Sequence, residues 1–463
     1  MIRLFRLAVP ASILSLLLSE LVLLTACNIL VTYWLLPVDP GVFLWYDGGF
    51  ARVLVAVASV LVGLHFLDLY SNIRTTSRVS LVLEISQALG FAFLVQALIA
   101  YLNKDWMLPR WIMIWASALA LVTLTAWRIL YGTLFLGAFH AQRVLFLGLS
   151  PIVQETAGYL TKHPEVGLTN LGYLDDAAGP GTIVHGAKIL GPVDELGAAV
   201  AALRPDRIIV GMTERRAHLP VQALLDMRFS GIVIEEAGAA YENATGRVSA
   251  KELRPAQLIF ASELESTRQS VMLQSIYSPV LALVGTVLTL PIALLAAIAV
   301  KLTSRGPVLY RQTRVGKNGA PFTLYKFRSM YADAEANTGA VWARKDDPRV
   351  TPVGRWIRRL RVDELPQLWN VLHGDMSVVG PRPERPEFVK TFSEKIPYYR
   401  QRHCVKPGIT GWAQINHKYG DTFEDAITKL EYDLYYIKHV SLSLDAFIIF
   451  QTVKTMLRLR GSQ

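Results

Sequence analysis

Cysteine is nearly absent. Cys27 and Cys404 are the only two among 463 residues, too few for a zinc cluster and in contexts that give no reason to expect a disulfide. A reducing location fits the soluble parts of such a chain. Charge is scarce as well. Only 18% of residues are charged, and acids are the scarcer sign, 37 against 47 Lys and Arg, leaving a net charge of +10. No G-x-x-x-x-G-K-[ST] phosphate loop, G-x-G-x-x-G turn or H-E-x-x-H string occurs, which removes three common catalytic and cofactor signatures. Zinc-finger spacing, a basic zipper and aromatic RNA-binding strings are missing too, so nucleic acid is not the expected partner. The basic excess suits an anionic membrane leaflet or an anionic substrate.

What the chain has in abundance is apolar sequence: 52% hydrophobic, with a mean hydropathy of +0.33. Its length allows two or three domains. Four apolar segments, Pro10–Leu36, Ala51–Leu67, Leu81–Leu102 and Trp111–Phe139, each approach or exceed the roughly 20 residues that cross a bilayer. The first follows Arg3 and Arg6 without a clear small-residue cleavage site, so it is expected to be a retained span. Arg74 and Arg78 in the second loop, against Asp39 and Asp47 in the first, place both ends of the bundle in the cytoplasm. Glu20 lies midway along the first span. It is either functional or paired inside the bundle, and pairing is the commoner fate.

From Arg143 the pattern changes. Apolar strings "RVLFLG", "NLGYLDD", "RIIVGM" and "GIVIEE" alternate with helical patterns over Ile152–Leu160, Val193–Leu203 and Leu219–Met227. That alternation predicts a Rossmann-like parallel α/β domain. Its first turn, Gly148-Leu149-Ser150-Pro151, lacks the dinucleotide glycines, so a structural or regulatory role is expected. A fifth apolar stretch, Pro279–Val300, carries Pro291 near its middle, where proline predicts a kink. The stretch either spans once or enters and leaves on one side. Near the C-terminus Leu444, Phe447, Ile448, Phe450, Val453 and Leu457 recur at helical spacing beside Lys454, Arg458 and Arg460. Such a helix lies either on a membrane or against a core.

The chemistry concentrates in "RRLRVDELPQLWNVLHGDMSVVGPRPERPEF", residues 358–388. Asp363 and Glu364 precede a helical pattern that opens near Pro366, and such a helix start favours acids and binds phosphate. A carboxylate there can attack phosphorus if cations screen the repulsion. Arg358, Arg359, Arg361 and Arg382 are the fixed charges available, and Mg²⁺ is the expected mobile one. The acidic pair alone is weak: the same Val-Asp-Glu-Leu string occurs at Val193–Leu196 without a basic cluster. Between Lys301 and Arg361, Lys and Arg far outnumber the acids Asp333, Glu335, Asp346 and Asp347. A nucleophile at Cys404, beside His403, is a poor rival, since neighbours in sequence need not face each other.

Five strings in order, "GPVLYRQTRVG", "FTLYKFRSM", "RVDELPQLWNVLHGDMSVVGPRP", "KPGITGWAQIN" and "KLEYDLYYIKHVSLSLD", resemble the bacterial sugar transferase family, the polyprenyl-phosphate phosphoglycosyl transferases. The resemblance covers about residues 270–460. It implies a sugar-1-phosphate transfer from a UDP-sugar to undecaprenyl phosphate, with UMP released and exopolysaccharide synthesis initiated. Asp363 would be the nucleophile and the side chain nearest Mg²⁺, and Glu364 its acid–base or Mg²⁺-orienting neighbour. Arg358 and Arg382 would handle phosphate, with Lys326, Arg328 and Lys406 as further phosphate contacts. Pro381 and Pro383 would stiffen their loop, and Pro291 would bend a re-entrant membrane helix. Two departures stand out. Leu290 precedes Pro291 where Ser is frequent, and Lys406 stands where some members carry Arg, which keeps the charge but loses the bidentate fork.

The expected architecture is a four-helix transmembrane bundle over 1–140, a Rossmann-like domain over 141–265, and an α/β-containing transferase domain over 266–463 with its re-entrant helix at about 279–300. The resemblance places the catalytic domain on the cytoplasmic face of the bacterial inner membrane. A homodimer and exopolysaccharide polymerisation or export machinery are candidate partners. Two other functions compete: a catalytically inactive assembly or regulatory protein, and a membrane nucleotide-sugar dehydratase. The second needs a Tyr-x-x-x-Lys pair, and Tyr398–Arg402 lacks the lysine.

Overall fold

The computed structural model describes all residues except 1, 5, 6, 10, 68, 71–77, 136–141, 178, 213–218, 251–262, 332–333, 335–346, 418–421 and 458–463. Arg6, Arg74, Asp333, Glu335, Asp346, Arg458, Arg460 and the expected end of the fourth span at Phe139 therefore lie outside the described residues.

Among the described residues five helices are long and apolar enough to cross a membrane. Four precede the α/β region: α1 (Ala11–Leu35), α2 (Gly49–Phe66), α3 (Arg78–Leu102) and α4 (Arg110–Leu130). Leu16, Leu24, Val57, Leu64, Ile85 and Leu124 from these helices form one buried cluster. Val22, Leu30, Leu94, Leu98 and Val122 point outward, as lipid-facing positions do. Small residues let helices approach: a Cβ on Gly63 would stand 2.7 Å from the Ala88 carbonyl, so α2 and α3 touch backbone to backbone there. Glu20 is fully buried and paired. Its carboxylate takes the Arg128 Nε at 2.6 Å and the Tyr70 hydroxyl at 2.6 Å. Arg128 also donates to the Leu69 carbonyl at 2.9 Å, so structural pairing accounts for this residue.

The middle region is a six-stranded sheet. Its strands are β1 (Gln142–Leu147), β2 (Leu168–Leu174), β3 (Ile183–Val184), β4 (Ala187–Gly191), β5 (Arg207–Val210) and β6 (Val233–Glu236). Their spatial order is β3-β4-β2-β1-β5-β6, parallel except at the β3–β4 edge. Helices α5 (Pro151–Lys162), α6 (Leu196–Leu203), α7 (Val221–Phe229) and α8 (Ala237–Thr245) cover it. Alternate residues of β1 explain the layering. Val144 and Phe146 pack on Val153 and Ala157 of α5 and Tyr241 of α8. Leu145 and Leu147 pack on Leu196 of α6 and Leu224 of α7. A strand buried on both faces reads as a continuous apolar run, as "VLFL" does.

Helix α9 (Glu263–Thr303) follows, and it runs through Pro279 and Pro291 without a break in the helix. A β-hairpin comes next, β7 (Leu309–Val315) paired antiparallel with β8 (Pro321–Phe327). Then come α10 (Pro352–Arg359) and α11 (Gln367–His373), with β9 (Ser377–Val379). Helix α12 (Pro386–Lys395) leads to β10 (Gly408–Thr410), which lies parallel to β9. Helices α13 (Phe423–His439) and α14 (Leu442–Leu457) close the chain. α14 is core-facing, with Leu444 and Ile448 buried. It also bridges two membrane-type elements. Asp445 near its start accepts from Gln274 and Tyr277 of α9 at 2.6 and 2.5 Å. Lys454 near its end donates to the His65 carbonyl of α2 at 2.7 Å, a favourable use of a cation at a helix C-terminus.

The Glu20–Arg128 pair yields the first prediction. Arg128→Met leaves a carboxylate buried without a counter-charge, at a cost of about 3–5 kcal/mol. Adding Glu20→Leu recovers most of that loss. Thermal unfolding in detergent checks both variants, and a double variant no better than the single would refute the account.

Candidate active site

The acidic pair sits where α10 hands over to α11. Arg361 takes a left-handed conformation with φ +54, which few non-glycine residues adopt. That residue reverses the chain after α10 and starts a 3-10 turn, Val362–Glu364. The turn sets Asp363 and Glu364 side by side beneath the hairpin. Asp363 is 8% exposed.

The two carboxylates have different surroundings. Glu364 Oε1 accepts from Lys326 Nζ at 3.0 Å and from Arg382 Nη2 at 2.9 Å. Arg361 Nη1 lies 3.7 Å from Oε2. Burial works to raise Glu364, but Lys326, Arg382 and Arg361 together hold it well below the usual carboxylate range. Asp363 is the opposite case. Burial pushes it up to about 6, opposed by Lys326, Arg358 and Arg382 and reinforced by the neighbouring Glu364. No side-chain hydrogen bond or ion pair engages its carboxylate among the described residues. Paired acids pushed apart in this way carry different roles: Glu364 is a locked anion that gathers cations, and Asp363 is a free carboxylate facing them.

Each cation is held from behind. Lys326 lies on β8, and Asn370 of α11 grips that strand, donating to the Thr323 carbonyl at 2.7 Å and accepting from the Tyr325 N–H at 3.1 Å. Arg382 lies in the loop Gly380–Arg385, whose carbonyls are captured in turn. The Pro381 carbonyl accepts from Gly408 N–H at 2.9 Å. The Pro383 carbonyl accepts from Arg314 at 2.9 Å, and the Arg382 carbonyl from Arg402 at 3.0 Å. A Cβ on Gly408 would meet the Gly380 nitrogen at 2.1 Å, so the glycine in "PGITG" serves a close backbone approach, and the string runs as strand and not as a turn.

Not every expected contact gathers here. Arg358, half-buried in the last turn of α10, acts on Asp363 through its charge. Arg359 turns outward over the Trp356 ring. Arg328 is buried away from the pair. Its Nη2 donates to the Ser304 carbonyl at 2.8 Å and reaches the Val300 carbonyl at 3.4 Å, closing the end of α9. Lys406 lines a cavity of about 450 Å³ with Lys317, Met272, Ser278 and Met376. Pro291 lies within α9, not at the pair. Asn370, Arg402 and its buried partner Asp433 were not singled out from the sequence. Asn370 and Asp433 fall within the quoted strings and Arg402 in none, but nothing local marks what they bond, because their partners are distant in the chain. Among the described residues no group of three or more His, Cys, Asp or Glu could hold a metal. The Asp363 carboxylate is the oxygen donor that would hold a divalent cation here, and such a cation would supply positive charge beside it.

Comparison with known proteins finds two matching regions. Residues 269–459 match the family described as bacterial sugar transferase, and residues 65–222 match one described as a CoA-binding domain. An Aeromonas hydrophila UDP-N-acetylgalactosamine-undecaprenyl-phosphate N-acetylgalactosaminephosphotransferase is 42% identical over 266 residues, 56% of this chain and 59% of that protein. An Escherichia coli K12 UDP-glucose:undecaprenyl-phosphate glucose-1-phosphate transferase is 48% identical over 176 residues, 38% of each chain. The chain thus spans less than two thirds of either relative. A Xanthomonas campestris UDP-glucose:undecaprenyl-phosphate glucose-1-phosphate transferase is 32% identical over 429 residues, 89% of this chain and 88% of that protein.

The turn that opens the Rossmann-like region does not fit a coenzyme A diphosphate. The Asp175 carboxylate accepts from the Leu149 N–H at 2.8 Å, so an anion at the start of α5 would meet a negative charge. The match over the transferase region, and the near full-length likeness to the Xanthomonas enzyme, show that this chain belongs to the bacterial sugar transferase family of polyprenyl-phosphate sugar phosphotransferases.

Proposed function

We propose that this protein transfers a sugar-1-phosphate from a UDP-sugar to undecaprenyl phosphate at the cytoplasmic face of a bacterial inner membrane, starting an exopolysaccharide repeat unit. The observation that carries the reading is the free, buried Asp363 carboxylate beside a Glu364 locked by Lys326, Arg382 and Arg361. An Asp363 oxygen attacks the β-phosphorus of the donor. The bond from that phosphorus to the bridging oxygen breaks, and UMP leaves with the electron pair. The phosphosugar stays on Asp363 until an oxygen of undecaprenyl phosphate attacks the same phosphorus and frees the carboxylate. This is covalent catalysis in two displacements. Arg382 and Lys326, gathered by Glu364, face the charge on the transferred phosphoryl group, and such preorganised charge is the main lever for this chemistry. Mg²⁺, held by Asp363 and the diphosphate, would supply further charge screening. The related enzymes are named for glucose and N-acetylgalactosamine donors, and those two sugars are the first to test here.

The proposal includes three units: the bundle, the Rossmann-like domain and the transferase with a re-entrant α9. Both arms of α9 pack on one globular unit. Ser278 bonds Ser377 at 2.7 Å before Pro291, and Arg328 reaches Ser304 beyond it. Between them Leu288, Leu290, Leu294 and Leu295 are exposed. A helix that dips into one leaflet and returns meets both conditions, whereas a straight span carries its ends to opposite faces.

Three outcomes are expected. Purified protein with Mg²⁺ releases UMP from UDP-glucose or UDP-N-acetylgalactosamine, and only the presence of undecaprenyl phosphate makes release exceed one equivalent. No UMP from any UDP-sugar, with folded protein in a bilayer, would favour the assembly role instead. Asp363→Asn keeps the shape but removes the nucleophile, so release falls about 1,000-fold or more with little change in melting temperature. Attack needs the ionised carboxylate. The rate of single-turnover release should therefore level off at high pH and fall about tenfold per unit once pH drops below about 6, where Asp363 takes up its proton.

A further inference from the structure

Arg382 meets Glu364 only while the backbone that carries it stays in place, and of the groups that hold that loop a buried guanidinium is the one bonded to the Arg382 carbonyl itself. Arg402 is 5% exposed. Its Nη2 donates to the Arg382 carbonyl at 3.0 Å, its Nη1 to the Tyr399 hydroxyl at 2.7 Å, and its Nε to Asp433 Oδ2 at 3.0 Å. Asp433 is itself buried, on α13. That helix is anchored from another side by the segment that follows α8. Glu431 accepts from the Ala250 N–H at 3.1 Å and lies 3.5 Å from Arg247, and Trp412 Nε1 donates to the Gly246 carbonyl at 2.8 Å.

A buried ion pair is weak support for stability, because well-packed apolar side chains of similar volume do as well or better. Its advantage here is direction. Apolar packing has no donor to aim at a carbonyl, and Arg402 aims one at the residue whose side chain reaches the acidic pair.

We infer that Arg402, oriented by Asp433 and Tyr399, is a positioning residue for the donor half of the reaction, fixing the Arg382 carbonyl and through it the guanidinium that faces Glu364 and the substrate diphosphate. This rests on the two-displacement reading above. The Rossmann-like region enters the same chain of contacts through Arg247 and Ala250, which meet Glu431 on the helix that carries Asp433.

A double-mutant cycle tests the inference, read as the rate of UMP release from the UDP-sugar without lipid acceptor. Arg402→Lys keeps the charge but cannot reach all three partners, and a misplacement of about 1 Å costs on the order of 100-fold. In an Arg382→Ala background the same substitution should cost no more than about twofold, because the group it positions is gone. Tyr399→Phe, a milder change that frees one N–H of Arg402, should slow release less and lose its effect in the same background. Should Arg402→Lys fail to fold, this second pair still decides the matter. Equal losses with and without Arg382, or full activity of Arg402→Lys and Tyr399→Phe, would overturn the positioning role. Absence of UMP from the unsubstituted protein would instead refute the donor reaction itself, so the two failures can be told apart.

Discussion

The transferase region depends on keeping one buried carboxylate charged. An anion removed from water costs several kcal/mol unless counter-charges meet it with good geometry, and Glu364 meets that condition with three. Lys326 comes from a hairpin strand, Arg361 from a left-handed turn and Arg382 from a proline-flanked loop. Their convergence explains features that look unrelated in the chain. Asn370 grips the hairpin, Arg361 adopts an unfavourable backbone, and Gly380 and Gly408 let two backbones meet. The reward is a cationic wall with Asp363 standing free beside it.

The surroundings suit a reaction that joins a water-soluble donor to a lipid. Trp356, Leu360 and Trp369 are exposed near the pair, and α9 offers an almost uncovered apolar surface. Exposed tryptophans with arginines alongside are at home at the level of lipid headgroups. α14 ties this platform to the bundle, through Asp445 at one end and Lys454 at the other. The transferase region is thereby tied directly to a helix of the apolar bundle.

The Rossmann-like region has the layers of a nucleotide-binding fold without its phosphate cradle. The Asp175 carboxylate accepts from the Leu149 N–H just before α5. Its observed contacts run to the catalytic unit instead. Glu242 pairs with Lys438, and Glu431 with Arg247, so the region braces α13. Fold and role have separated here, as they often do in this architecture.

Much of this was legible in the chain. The first three apolar runs became α1–α3 within a few residues, and the fourth became α4 with its expected end at Phe139 outside the described residues, because length and composition suffice to specify an apolar helix. The four strand strings became strands, and in "RVLFLG" and "RIIVGM" burial on both faces explains the unbroken apolar run. Asp363 and Glu364 stood out because the motif around them is contiguous. The choice of cations was not legible. Lys326 and Arg328 are two residues apart, and a continuing strand would turn both to one face. The strand ends at Phe327, so Lys326 meets Glu364 while Arg328 closes the end of α9. Nothing local announces that Arg402 and Asp433 would pair. Sequence determines elements whose cause is local: apolar runs, alternation, a helix start with its acids. Which charges meet in the interior is decided by tertiary structure, because a buried ion pair is set by where separate segments pack and not by their order in the chain.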